Sequence, residues 1–295
     1  FFIMLKLLLV GYGNMGKVHE KAIKNSDKAL LYGIVDPKVS KLKMKVLLAK
    51  DISFVDLKND IDGVIISSTT KTHYRIAKNA IENKIPTFIE KPISTNIKEV
   101  QELTSICLDE NIILQTGLIE NFNPVVIYLK KEDLSLTKEI NIIRTSPPLD
   151  KRRELENVVH DLGIHDIGIF DHLYNLENFS LVNKSLVEKN GMISEADITF
   201  SSKDIKINLK LSNIAEEKNR SWEIIGNNFS YNIDLLKKKV IKNFNGKEER
   251  KIFDKSYQPI DLQLDDFLEK IRKNSPDKDH LAKTLNIHKF IDSIL

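Results

Sequence analysis

Leu5-Lys6-Leu7-Leu8-Leu9-Val10-Gly11-Tyr12-Gly13-Asn14-Met15-Gly16 is the stretch that decides how the first half of the chain folds. A β-rich apolar run leads straight into a glycine turn, and residues 17–24 continue with helical spacing. Strand, turn and helix therefore stand in the order of a dinucleotide-binding βαβ unit. The three glycines serve different ends. Gly11 makes the tight turn, Gly13 lets the backbone approach a pyrophosphate, and Gly16 lets the helix lie close on the strand. Tyr12, Asn14 and Met15 complete a turn whose following helix N-terminus faces the phosphates. Asp36 closes the second strand, twenty residues after Gly16. There its carboxylate can accept hydrogen bonds from both ribose hydroxyls and repel a 2′-phosphate, which favours NAD, while Lys38 and Lys41 soften that preference and leave NADP open.

Outward from this stretch, the pattern predicts strands at 5–10, 30–35, 53–55, 63–67, 87–90 and 112–116. Helices are predicted between them at 14–25, 38–49, 72–83 and 96–110. That is an α/β arrangement, a doubly wound parallel sheet forming an NAD(P)-binding Rossmann domain over 1–121. The turn Glu120-Asn121-Phe122-Asn123-Pro124 breaks the alternation. Over 122–295 we expect an α+β domain, for substrate binding and oligomerisation, with an open, mainly antiparallel sheet. Its helix is predicted at 160–175 and its strands at 180–189, 193–200, 204–213, 219–226, 229–234 and 238–253. Helices at 259–273 and 278–293 end the chain, the last expected beside the first domain. The basic run from Lys237-Lys238-Lys239 to Lys251 reads as a solvated edge hairpin whose lysines block strand addition.

The composition fits this division. At about 150 residues per domain, 295 residues make two, and 41% hydrophobic residues can fill both cores. With 45 Lys+Arg against 42 Asp+Glu the net charge is +3, which leaves no electrostatic footprint for nucleic acid. Cys107 stands alone and no Cys/His spacing suggests zinc, so the chain reads as cytoplasmic. Lys6 interrupts the apolar start, no basic segment precedes it and no cleavage site follows, so it is not read as a signal peptide; Met4 is a candidate native start. No run approaches the roughly 20 apolar residues of a membrane span.

Three further stretches carry chemistry. Ser67-Ser68-Thr69-Thr70-Lys71-Thr72-His73 ends a strand, which places Ser68, Thr69 and His73 at the sheet edge where α/β folds bind ligands. Glu90-Lys91-Pro92 ends another, with Lys91 aimed at the cleft and Glu90 beside it among the cofactor-facing groups. In His160-Asp161-Leu162-Gly163-Ile164-His165-Asp166, Asp161 and His165 are four apart and fall on one helical face. Oxidising a secondary alcohol needs a hydride acceptor and a group for the hydroxyl proton. Lys91 can hold the developing oxyanion or relay its proton, and His165, supported by Asp161, can be the base; the residues leave open which of the two takes the proton. Metal is not expected, because His160 and His165 diverge on a helix.

These stretches, in this order and approximate spacing, resemble the glucose-fructose oxidoreductase and inositol dehydrogenase family, Gfo/Idh/MocA. The resemblance implies a nicotinamide Rossmann domain, a C-terminal α/β domain with an open sheet, catalysis by Lys91 with Asp161 and His165, and pairing of sheet faces into a homodimer or homotetramer. Gly117-Leu118-Ile119-Glu120-Asn121-Phe122-Asn123-Pro124 is similar to a Glu-Arg-Phe-Asn-Pro turn in family members that oxidise the 3-hydroxyl of UDP-N-acetylglucosamine or related UDP-sugars. It implies a nucleotide-sugar substrate met by Asn121 and Asn123. Asn121 stands where those members commonly carry Arg, and an amide lacks the charge and fork of a guanidinium. A free sugar or inositol is the alternative substrate, and a non-catalytic NAD-binding regulator the alternative of another class. Arg144, Lys151, Arg152 and Arg153 flank an expected loop after Pro148, where they either clamp a phosphate or solvate the loop.

Overall fold

Leu7, Leu8 and Leu9 are all fully buried, as a strand covered on both faces requires. They form the middle of β1 (Leu5–Val10) in a computed structural model that describes residues 3–39, 46–148, 156–254, 256 and 258–295. After β1 come α1 (Asn14–Asn25), β2 (Ala29–Val35), β3 (Leu47–Ala49), α2 (Leu57–Asp60), β4 (Gly63–Ile66), α3 (Thr70–Glu82), β5 (Thr87–Ile89), α4 (Ile97–Glu110) and β6 (Leu114–Thr116). The six strands pair in the order β3-β2-β1-β4-β5-β6, all parallel. This is the doubly wound Rossmann order, and its direction reverses between β1 and β4, so the binding crevice lies outside the carboxyl ends of those strands. The helices cover the sheet through apolar stripes at helical spacing: α1 buries Gly16, His19, Ala22 and Ile23, and α3 buries His73, Ile76, Ala77, Ala80 and Ile81.

The chain then continues as α5 (Pro124–Leu129), β7 (Thr137–Thr145), α6 (Ile164–Tyr174), β8 (Ser180–Lys189), β9 (Met192–Ser201), β10 (Lys206–Ser212), β11 (Asn219–Gly226), β12 (Phe229–Asp234), β13 (Lys239–Phe244), β14 (Lys247–Ile252), α7 (Pro259–Lys273) and α8 (Lys278–Ile294). Two units result: Phe1–Leu118 with Ile260–Leu285, and Ile119–Pro259 with Asn286–Leu295. The second is built on an eight-stranded sheet in the order β14-β13-β12-β11-β7-β10-β9-β8. Only β7 and β10 are parallel; every other pair is antiparallel. Phe170 of α6 fixes the helix on this sheet, edge-on to Phe179 and Phe200 with centroids 4.7 and 5.1 Å away. β14 is exposed along its whole length, so its lysines edge the sheet in water.

Three local expectations are corrected. Within the helix expected at 38–49, Leu47–Ala49 is a strand that extends the sheet beyond β2, too short for its own periodicity to show. The strand expected at 53–55 is a 3-10 turn, Ile52–Phe54, because the Asp51 carboxylate accepts the Ser53 N–H at 3.0 Å and caps it. β7, central in the second sheet, has no counterpart among the expected strands. Its inward residues are Thr137, Ile140, Ile142 and Arg144, and an arginine at a core position disguises the alternation.

Candidate functional site

In the first unit the glycine turn has the shape its sequence demands. Gly11 has φ +94°, and a Cβ there would lie 2.4 Å from the Ser68 nitrogen; at Gly16 a Cβ would meet the Gly11 carbonyl at 2.2 Å. Both glycines are therefore required by close packing within the chain. Gly13 differs, being exposed with nothing within 4 Å of its Cβ position. Protein packing does not explain its missing side chain, whereas a pyrophosphate approaching the backbone does. Gly13 also caps α1 without a side-chain hydrogen bond, and no acidic residue occupies the first turn, so this helix end suits an anion.

Asp36 lies just past β2, and its two carboxylate oxygens are held by separate backbone donors: Tyr12 N–H to Oδ2 and Lys38 N–H to Oδ1, both at 2.8 Å. Its carboxylate is thereby fixed beside the glycine turn. Tyr12 is anchored in turn by its hydroxyl, which donates to Glu20 at 2.5 Å; burial and the Glu20 carboxylate push this phenol up to about 12. Asn14 is exposed and Met15 half-buried at the start of α1. Ser67 hydroxyl donates to the Gly11 carbonyl at 2.9 Å, and Ser68 and Thr72 hydroxyls share a hydrogen bond of 2.8 Å. Thr69 is exposed at the N-cap of α3. The cradle thus brings together Gly11 to Gly16, Asp36, Ser68 and Thr69, a set that fits a dinucleotide.

Two residues expected near the cofactor are held by partners within the chain. His73 is 1% exposed and turns its ring inward, with Nδ1 2.9 Å from the Pro92 carbonyl and Nε2 3.1 Å from the Ser68 carbonyl. Glu90 is likewise buried, its Oε1 2.7 Å from Nε2 of His19. Both support the sheet edge from within. Lys91 is half-buried two residues beyond β5, joined to Pro92 by a cis peptide. Sequence reasoning missed His19; its place two turns into α1 on the buried face of the helix was the available signal.

In the second unit, Asp161 lies within a π-turn, Val159–Gly163, and His165 in the first turn of α6 that follows. The two are thus separated by a change of helical register, a local irregularity that recurs at functional sites. Asp161 is buried and His165 half-buried. The His160 ring is bound to Asn157, with Nδ1 2.8 Å from the Asn157 amide nitrogen. Among the described residues no group of three or more His, Cys, Asp or Glu is placed to hold a metal ion.

Asn121 occupies the short turn Ile119–Phe122, its Oδ1 buried without a hydrogen-bond partner among the described residues. Asn123, expected on the substrate, holds the turn. Its Oδ1 caps α5 by accepting the Val125 N–H at 3.1 Å, and its amide donates to Glu120 Oε2 at 3.1 Å. Arg144, expected near a loop, is the centre of a buried network that the sequence did not announce. It binds Asp166 through two guanidinium nitrogens and Glu120 at 3.2 Å. Arg220 also donates to Glu120, at 2.6 Å, and the Trp222 indole donates to Asp166 at 2.9 Å. Burial works to raise the Glu120 carboxyl, but the Arg144 and Arg220 charges prevail and hold it below the usual carboxylate range. Lys151, Arg152 and Arg153 lie outside the described residues.

A glycine-turn crevice with a carboxylate fixed beside it defines the class of the first unit, a dinucleotide-binding Rossmann domain. Residues 5–118 match the Gfo/Idh/MocA family model, described as an oxidoreductase family with an NAD-binding Rossmann fold. Among characterised proteins, the myo-inositol 2-dehydrogenase of Thermotoga maritima is 28% identical over 173 residues, 54% of this chain and 52% of the relative. The UDP-N-acetylglucosamine 3-dehydrogenase of Acidithiobacillus ferrooxidans is 24% identical over 169 residues, 55% and 53% of the two chains. The chain thus spans about half the length of the curated relatives it matches. A solved structure of UDP-N-acetylglucosamine 3-dehydrogenase from Acidithiobacillus ferrooxidans shares the fold over 99% of this chain and 97% of its own, with TM-score 0.88 and 19% identity.

Proposed function

We propose that this chain is a dehydrogenase that removes a hydride from a secondary hydroxyl of a sugar, with NAD preferred to NADP. The observation that carries the reading is the Asp36 carboxylate, fixed by Tyr12 and Lys38 N–H beside the open Gly13 position. Gly11 to Gly16 hold the pyrophosphate and Asp36 the ribose; NAD, when bound, supplies the hydride acceptor. The groups proposed to handle the proton are Lys91 and His165, the latter supported by Asp161. One of Lys91 and His165 takes it while the other donates a hydrogen bond to the oxygen as the carbonyl forms. Among sugars the reading favours the 3-hydroxyl of UDP-N-acetylglucosamine, supported by the Glu120 to Pro124 turn and the dehydrogenase relative named for that substrate.

An inositol or free sugar is the second reading, favoured by Asn121, which offers an amide rather than a guanidinium, and by the inositol dehydrogenase relative. Self-association through the open face of the second sheet belongs to the same reading. Ile143 is exposed there beside a side-chain ladder linking Asn141, Glu223, Asn208 and Glu139. The test is a panel of UDP-sugars, free sugars and inositols, each mixed with protein and NAD while NADH absorbance is followed. UDP-N-acetylglucosamine is expected to give turnover. Reduction of NAD with inositol alone would overturn the nucleotide-sugar reading, and silence across the panel would count against a sugar dehydrogenase.

A further inference from the structure

Two buried histidines from two helices grip the residues on either side of Lys91. His19, 2% exposed on α1, places Nε2 2.7 Å from Glu90 Oε1 and its ring edge-on to Phe88, with centroids 5.1 Å apart. The other oxygen of Glu90 lies where a Cβ on Gly117 would come within 2.7 Å, so this carboxylate packs directly against the Gly117 backbone. His73, on α3, faces the Pro92 carbonyl with Nδ1 and the Ser68 carbonyl with Nε2. Carbonyl oxygens only accept, so a neutral ring serves one of them at a time and a doubly protonated ring serves both.

Both helices start at the cofactor cradle. α1 begins at Asn14 inside the glycine turn, and α3 begins at Thr70, after the Ser68 backbone on which Gly11 is packed. A lysine head on a flexible four-carbon stem is only as well placed as the backbone that carries it. We infer that His19 and His73 are positioning residues for Lys91, tying its two peptide neighbours to the two helices that begin at the cofactor cradle. This rests on the reading of Lys91 as a proton-handling group. Misplacement of a reacting group by about 1 Å can cost on the order of a hundredfold in rate, so such a clamp bears directly on turnover.

Amide side chains separate positioning from mere filling of the core. In H73N the amide nitrogen replaces Nδ1 and keeps a donor toward Pro92, whereas in H73Q it replaces Nε2 and keeps one toward Ser68. H19Q keeps a donor toward Glu90 and H19N loses it. The protein and these four variants are trace-labelled with acetic anhydride, with and without saturating NAD, and the rate at each lysine is read by peptide mass spectrometry. In H73Q and H19N the Lys91 rate should change by about threefold or more against Lys98 and other surface lysines, because amine reactivity follows its surroundings. H73N and H19Q should stay near wild type, and NAD affinity should hold in all four.

With any substrate that turns over, kcat should fall about 10- to 100-fold in H73Q and H19N and recover in H73N and H19Q. Equal Lys91 labelling in all five proteins would overturn the inference, as would equal change in H73N and H73Q. If labelling behaves as expected but Lys91→Ala turns over normally, the positioning stands and the proposed chemistry falls.

Discussion

Lys91 and His165 each follow or precede by one residue a carboxylate that is buried and paired, but the two units build that support differently. Beside Lys91, Glu90 meets one imidazole, His19, and keeps a little exposure. Beside His165, Asp166 is completely buried and meets the Arg144 guanidinium in a two-pronged grip, with the Trp222 indole as a third donor. Arginine stays charged throughout the working pH range, whereas histidine does not. The second unit therefore places its buried charge in a permanent network that also ties β7 and β11 to α6 through Glu120 and Arg220. The first unit uses smaller, local pairs along the carboxyl edge of its sheet. Loss of a network member should thus be felt as lost stability, and loss of a local pair chiefly as lost placement.

The largest effect tests whether Lys91 and His165, the proposed reacting residues, can be separated from their supports. Lys91→Ala and His165→Ala should each lower kcat by about 10²–10⁴-fold with little change in NAD affinity or unfolding midpoint, as expected when a positioned proton-transfer group is removed. Their combination should cost much less than the product of the two if they act on one proton. Steady-state NADH production and cofactor titration measure both; near-normal kcat in each single variant would assign the proton elsewhere. Next in size is Asp166→Ala. It leaves the buried Arg144 guanidinium with the Glu120 pair but without its two-pronged Asp166 partner, and should cost about 3–5 kcal/mol in urea unfolding. Trp222 is the only tryptophan, so its emission should shift as its indole loses the carboxylate. Glu90→Gln, which leaves His19 a hydrogen-bonding partner, should cost only about 1 kcal/mol. Equal losses in the two variants would erase the distinction between the units.

How far the sequence could be read follows the same division. The glycine turn and Asp36 were legible because each residue answers to backbone geometry within one βαβ unit, where spacing along the chain equals spacing in space. In the second sheet most strands alternate plainly, as in Met192–Ser201, and were found. β7 escaped because Arg144 stands at an inward position, tolerable only through Asp166, 22 residues away, and Glu120, 24 away. Such compensation between distant residues leaves no local periodicity. For His73 and Glu90 the motif gave the sheet edge but not the partners His19, Pro92 and Ser68, because motif position locates a residue, whereas the direction of its side chain depends on what packs behind it.

A smaller effect concerns Asp36, held by backbone donors rather than by an ion pair. Asp36→Ala should weaken NAD about 10- to 100-fold, the value of hydrogen bonds to a charged group at 1.5–3 kcal/mol, and narrow the gap to NADP as the repelling charge disappears. Titrating both cofactors against wild type and variant checks it; unchanged NAD affinity would remove Asp36 from the ribose site. Lys91 labelling should not respond, because the clamp around it runs through His19 and His73.

The smallest effect sharpens the contrast between imidazole and guanidinium as buried supports. His280, on α8, accepts the Thr116 N–H through Nε2 at 2.9 Å, closing the end of β6. Burial and the nearby Lys270 ammonium push this imidazole down to about 4, against the opposing pull of Asp277 and Asp266, with Lys283 adding to the depression. An imidazole near 6.5 in the unfolded chain then binds a proton between pH 6.5 and 4 that the folded chain refuses. Its contribution is complete above pH 6.5 and is lost as pH falls toward 4, because protonation removes the lone pair that Thr116 needs. The loss should amount to about 2 kcal/mol, discounted for the partly open end of α8. His280→Gln presents an amide oxygen in place of Nε2 and does not titrate, so its unfolding free energy should fall less steeply over that range than wild type. Urea midpoints of both proteins from pH 7 to 4 measure it, and parallel curves would show that His280 does not set the acid limit of the first unit.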